Sequence, residues 1–425
     1  MKNFVKHLGK GALAFILVFF LGFVLLFFSH LLPSERIALH VRESGSVLQT
    51  ETDYWVITHG DISSTLDNFT DAIMLLSAGY TGDGSLLEKT VYNYRIYEKG
   101  ATKGESCLVC GILTGDSLRV HTYEWYWQGF QTVLKPLLLF FNLTEIRNLN
   151  MFVIISSIVL ICLLLHHRKK TAYILPYITA LCFLNLGTIF MSLQYSTIFH
   201  LASVSMIVML LFYNNDKFRL HIWMYFMIIG MCTSYFDFLT YPIMVLGFSL
   251  ILYFILSEEE KLIPAIGKAA GFSSLWFIGY LGMWASKWIL ASLVTGTNQI
   301  SKGLSKFQER SSNTIGETSF TWVEMMQNMK SYLENGVTLY LVAALLFASL
   351  IFILITKSYH QKNKWITSLM LLGISVYPFI WYTIAANHSM QHSFFTFKSM
   401  AVFVFGFSSL FMPYVDLGLI KSSKV

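Results

Sequence analysis

Polar and apolar positions along this chain fall in long blocks, not at the short period of a half-buried soluble helix. Apolar runs near twenty residues lie at roughly 11–30, 148–166, 171–193, 195–213, 220–236, 239–256, 269–294, 336–356, 365–386 and 399–420. About twenty apolar residues at 1.5 Å each cross the hydrocarbon of a bilayer. The pattern therefore predicts an all-α polytopic membrane protein with about ten transmembrane helices. The first run follows the basic start MKNFVKHLGK, and Leu31, Leu32, Pro33 and Ser34 after it do not resemble a cleavage site, so a retained anchor is expected. No repeat of 20 to 50 residues is visible. The chain reads as a single membrane domain, 1–425, with a large first loop at 33–147 and a second at 295–335.

Composition agrees: 55% of residues are hydrophobic and 13% charged, with mean hydropathy +0.57, where a soluble domain carries about a quarter charged residues. Charge then orients the spans. Half of the 30 Lys and Arg sit on short segments that would share one side: Lys2, Lys6, Lys10; Arg168, Lys169, Lys170; Lys217, Arg219; Lys261, Lys268; Lys357, Lys362, Lys364; Lys421 and Lys424. The opposite turns near Gln194 and Asp237 hold none. Short basic loops stay in the cytoplasm, so both termini are expected there and the two long loops outside, in the cell membrane. Of the 24 acidic residues, only Asp216, Glu258, Glu259 and Glu260 fall on the inner segments. No inner segment is long enough for a nucleotide-binding domain, and no GxxxxGK[ST] occurs. Neither ATP nor a nucleotide sugar is an expected direct substrate, and no nucleic acid is an expected partner; the lipid bilayer is.

Cys162, Cys182 and Cys232 lie in apolar runs as packing residues, whereas Cys107 and Cys110 form a CxxC in the first loop, where a disulfide is chemically allowed.

Chemistry-capable residues concentrate on the outer side. In DYWVITHGDISSTLDNFTDAIMLLSAGY (53–80), Thr65 or Asp67 is placed to cap a helix, and Asp67 and Asp71 are then i,i+4 neighbours. One carboxylate beside another is raised toward general-base duty; the plainer reading is an acidic helix start that the dipole favours. Downstream, Trp125, Tyr126, Trp127, Phe130, Leu134, Leu137 and Leu138 suit a helix lying in the membrane interface, with Lys135 and Arg147 reaching headgroup level. Asp237 occupies a tight turn in SYFDFLTYP, and Lys287 lies inside an apolar run, where it either snorkels or neutralises a phosphate. NHSMQHSFFTFK carries His388, His392 and Lys398; the histidines lack the nearby carboxylate of an HExxH zinc site, so no metal is assigned, and bonds to phosphate or sugar oxygens are favoured.

In its many spans and acidic first outer loop, the chain resembles the GT-C superfamily of integral membrane glycosyltransferases. More locally, LDNFTDAIML, YWQGFQTVLKPLLLFF, IRNLN, SYFDFLTYP, GMWASKWILASLVTG and NHSMQHSFFTFK are similar to segments of uncharacterised bacterial membrane proteins of that type. The resemblance implies an inverting transfer of one sugar from a polyprenyl (undecaprenyl) phosphate donor to an extracytoplasmic cell-wall glycan or polymer. It implies an acidic base in the first loop, mapping to Asp67 or Asp71, with Lys287, His388, His392 and Lys398 on the donor phosphate. His121, Trp127, Gln128 and Asp237 would shape the sugar and acceptor site. No cofactor is required, although a divalent ion is compatible with such chemistry. The chain departs from the pattern in the distance of Asp67 from the first span, which keeps Glu35, Glu43, Glu51, Asp53 and Asp61 as competitors for the base. Two other classes remain: a flippase or transporter of lipid-linked oligosaccharide, which needs polar residues at mid-membrane, and a polysaccharide polymerase or ligase, which needs an arginine-rich later loop where 295–335 has only Arg310.

Overall fold

The computed structural model describes residues 2–98, 118–334, 336–356 and 363–415. Cys107 and Cys110 lie outside the described residues. The described residues are 77% helical with almost no sheet. Among the described residues six helices are long and apolar enough to cross a membrane, and four shorter apolar helices of 10–17 residues accompany them. The protein is an all-α membrane protein.

Helix α1 (Lys2–Ser29) leads into the first loop, whose described helices pack on the starts of the helices that begin at Leu143 and Leu193. It comprises α2 (Ser34–Glu51), α3 (Asn68–Ala78), α4 (Leu86–Tyr92), an antiparallel ribbon of β1 (Arg95–Glu98) and β2 (Leu118–His121), and α5 (Gln131–Leu138). The bundle continues through α6 (Leu143–His167), α7 (Ile174–Phe183), α8 (Leu186–Met191), α9 (Leu193–Phe212), α10 (Asp216–Leu220), α11 (Ile222–Phe236), α12 (Ile243–Ser257) and α13 (Leu262–Thr295). After it come α14 (Gln299–Ser311), a minimal ribbon of β3 (Thr314–Ile315) and β4 (Thr318–Ser319), and α15 (Trp322–Leu333). The chain then runs through α16 (Gly336–Thr356), α17 (Lys364–Ser375), α18 (Tyr377–Ile384), α19 (Ala386–Gln391), α20 (Ser393–Thr396) and α21 (Ala401–Ser408).

Two apolar runs are more broken than their hydropathy suggests. The run at 171–193 splits at Asn185, which adopts φ +55°, and the run at 365–386 is interrupted between α17 and α18, where Pro378 cannot donate to the preceding turn. At the centre, α11 and α13 pack so closely that side chains at their crossing must be absent. A Cβ on Gly230 would meet the Trp276 carbonyl at 2.2 Å, and one on Gly279 the Met227 carbonyl at 2.1 Å.

The aromatic stretch before α5 is not a helix on the membrane surface. Residues 122–130 run irregularly, Gln128 takes φ +54°, and Trp127 is fully buried with its indole N–H donating to the Met283 carbonyl at 2.7 Å. A buried indole needs an acceptor, and the α13 backbone supplies it. Lys135 and Arg147 likewise turn inward, only 4% and 8% exposed, instead of reaching toward headgroups.

The ends of the bundle differ chemically. At one end Lys170 and Lys364 both pair with Glu258, Lys268 pairs with Glu259, and Lys10 meets His221. The other end carries the first loop, Asp67, Asp71, Asp237, His388 and Lys398, all buried.

Candidate functional site

Of the two caps the sequence allows, Thr65 and Asp67, it is Asp67 that caps α3, and its carboxylate accepts from the Thr70 amide at 3.0 Å and the Thr70 hydroxyl at 2.8 Å. It is 2% exposed. Burial pushes its pKa up to about 7 against those two bonds, with Asp71 and Asp53 adding to the rise.

Asp71, one turn on, is engaged elsewhere. It accepts from the Ser192 hydroxyl at 3.1 Å, the Leu193 amide at 2.9 Å and the Gln194 amide at 3.0 Å, so it pins the start of α9 to the first loop. Burial raises it to about 6, while Arg147 and the α9 donors pull the other way. Between the two acids, Asn68 donates to Glu51 at 3.0 Å, and Arg147 donates to both Glu51 oxygens at 2.7 and 2.9 Å and to Asn68 at 3.1 Å. Glu51 is thus the counter-ion of Arg147. Asp61 caps a short turn through the Ser63 amide, and Glu35 and Glu43 are exposed on α2. Within DNFTD, then, Asp67 is the acid that bonds, among the described residues, only to its own first turn.

The later outer segment comes to the same place. Tyr54, whose phenol feels the Asp67 charge, stacks on Phe69 and sets its edge against Phe394 at 5.3 Å between centroids. Tyr195, also within electrostatic reach of Asp67, packs on Phe395 at 6.0 Å. Lys398 lies over the Tyr195 ring at 5.1 Å from its centroid while donating to the Leu184 carbonyl and the Thr188 hydroxyl. The His388 and His392 rings are 4.7 Å apart, and His392 stacks on Phe395. DNFTD and NHSMQHSFFTFK therefore share one aromatic patch.

Beside that patch a cleft of about 180 Å³ is walled by Phe277, Tyr280, Trp284, Phe307, Trp381 and Leu239, with Arg310 its cation. Arg310 donates to Gln391 at 3.3 Å and acts electrostatically on His388, His392 and Tyr126. Several buried polar atoms here lack a partner among the described residues: both His388 ring nitrogens, the Trp381 indole nitrogen, Asn387 Oδ1 and Ser389 Oγ. The Leu239 backbone approaches His388 without completing a hydrogen bond. Burial, His392 and Arg310 hold His388 well below the ordinary histidine range, and burial with Arg310 lowers His392 to about 4. Asp237, 4% exposed, accepts from the Thr240 amide and hydroxyl, and burial raises it to about 7.

The remaining sequence candidates lie elsewhere. Lys287 donates to the Thr90 and Val91 carbonyls at 3.1 and 2.9 Å, capping α4, and sits over Trp127 at 5.3 Å. Gln128 accepts from Gln131, and His121 stands in β2 opposite Arg95. The expected four-residue phosphate clamp thus divides: Lys287 goes to the first loop, Lys398 to the Asp67 side, and the two histidines to Arg310. In the sequence alone Arg310 reads as a deficit of arginine in its loop, and only its neighbours in the fold make it a site residue. No group of three or more metal-ligating side chains occurs among the described residues.

No family model, curated protein or solved structure matches this chain.

Proposed function

We propose that this protein is a membrane glycosyltransferase that moves a single sugar from a polyprenyl phosphate to an extracytoplasmic glycan, with inversion. In this reading all ten apolar segments cross the membrane, both termini face the cytoplasm, and the first loop faces out. The observation that carries it is Asp67: a buried carboxylate, bonded only within its own turn, with its pKa raised into the range of a base working near neutral pH.

Asp67 takes the proton of the acceptor hydroxyl as that oxygen attacks the anomeric carbon. The bond from that carbon to the phosphate oxygen breaks, and the electron pair leaves with the phosphate. Arg310 offers a planar pair of donors for the growing negative charge, and His388 has two uncommitted nitrogens beside it. The cleft's aromatic rings suit a sugar face or an isoprenoid chain. Asp71, Lys287 and Trp127 are assigned to holding the first loop on the bundle.

Purified protein given labelled polyprenyl-phosphate hexose and acceptor glycan should release free polyprenyl phosphate. Asp67→Asn should stop that release and leave folding intact, because asparagine caps a helix as well as aspartate does. A flippase would release nothing in either form, and a polymerase would act only on a diphosphate-linked oligosaccharide.

A further inference from the structure

A second cluster of charge lies away from the Asp67 patch, where the end of α1 meets α4, α5 and α13. Lys135, on the inward face of α5, is 4% exposed, and its ammonium has one hydrogen-bond partner among the described residues: Nδ1 of His30, at 2.8 Å. The imidazole therefore accepts, and its Nε2 is buried without a partner. No Asp or Glu of the described residues lies within ion-pairing distance of Lys135, Lys287 or Lys89, and the latter two stand close enough to act on the His30 ring. Glu124 is the acid that reaches Lys287 electrostatically. Burial, with Lys89 adding to it, lowers Lys135 to about 7.

A buried ammonium with neither a counter-ion nor a full set of acceptors is costly, and such groups persist where something else compensates them. The surrounding chemistry says what that is. Three lysines and a histidine present N–H donors and positive charge, and the exterior of α5 and the turn after it is apolar, with Val133, Phe140 and Phe141 exposed. We infer that His30 and Lys135, backed by Lys287 and Lys89, form an anion site for a phosphate monoester, distinct from the Arg310 cleft, where donors from α1 and α5 close on the phosphate oxygens. The two sources of that chemistry are a lipid headgroup, with its chains against Val133 and Phe140, and free phosphate.

The test is binding, not turnover, so it stands or falls separately from the role of Asp67. Full-length protein in neutral detergent is titrated with dodecyl phosphate, and separately with inorganic phosphate, while its melting temperature is followed. Wild type should be stabilised by dodecyl phosphate, and Lys135→Met should bind it at least tenfold more weakly while Lys135→Arg retains binding. Without ligand, Lys135→Met should melt at or above the wild-type temperature, because it removes an uncompensated charge and keeps the side chain's length. Equal stabilisation by inorganic phosphate would identify the free ion as the ligand, and stabilisation by dodecyl phosphate alone would identify the lipid. No stabilisation of wild type by either probe, or an undiminished response in Lys135→Met, would overturn the assignment.

Discussion

The two ends of this bundle handle charge in opposite ways. At the end bearing Glu258 and Glu259, acids and lysines meet as partly exposed pairs: Lys170, Lys364 and Lys268 each reach a carboxylate, and Glu258 is half exposed. At the other end Asp67, Asp71, Asp237, His388, Lys135 and Lys398 are buried, and Lys135 and His388 are the least satisfied of them among the described residues. Solvated pairs hold helices in place at little cost and with little gain. Buried, under-satisfied groups are expensive in stability, and a fold keeps them where chemistry or binding uses them.

The difference is sharpest between two acids four residues apart. Asp67→Asn should lower transfer about 100- to 10,000-fold, the range general bases contribute, with no fall in melting temperature and a rise near pH 7, where the cost of the buried charge is removed; Asp71→Asn should instead lose stability through the α9 tether while the folded fraction still turns over. Sequence spacing put both on one side of the first turns of a helix, offered Thr65 or Asp67 as its cap, and made Asp67 the first choice of base and Asp71 the second. The tether that sets them apart was not legible, because the donors to Asp71 come from Ser192, Leu193 and Gln194, more than a hundred residues away in the chain.

Next in size is the Arg147–Glu51 pair, 8% and 9% exposed. Glu51→Gln strands a buried guanidinium and should cost about 3–5 kcal/mol, seen as a large fall in melting temperature. Sequence reasoning put Arg147 among headgroups, since nothing local to IRNLN announces a carboxylate ninety-six residues earlier. Much of the helical architecture was legible for a simpler reason: apolar length is a local property, and each expected span falls on one or more apolar helices. The break at Asn185 and the irregular path of Tyr123–Gly129 were not legible, because they answer to partners distant in the chain: Asn185 reaches Asp61 and Ser63, and Trp125 and Trp127 are tied to α13.

A smaller effect is expected at the cleft. Arg310→Gln removes one charge-assisted contact to the donor phosphate, worth about 1.5–3 kcal/mol, and should appear as a raised KM for the lipid donor at unchanged melting temperature. Arg310 was visible in the sequence as the one arginine of its loop, yet its meaning depends on His388, Tyr126 and Trp381 gathering around it.

Proton binding gives a further contrast. Asp67, Asp71 and Asp237 have pKa values of about 7, 6 and 7 in the folded chain, against about 3.9 when unfolded. Between pH 4 and 7 the folded state therefore holds more protons, so stability is greatest below about pH 4 with respect to these groups and falls as pH rises toward 7. Melting temperature should decline over that window, and each Asp-to-Asn change should flatten the decline. The smallest effect belongs to the opposite end: Glu258→Gln should change stability by less than about 1 kcal/mol and transfer not at all; a large loss of transfer there would break the contrast between the two ends.

The most direct test of the base assignment is the pH dependence of kcat/KM for labelled polyprenyl-phosphate hexose, measured on wild type and on Asp237→Asn. The rate should rise about tenfold per pH unit below 7 and level off above it, in both proteins. A profile that is flat through pH 7, or that loses its inflection in Asp237→Asn, would contradict the assignment of Asp67 as the base.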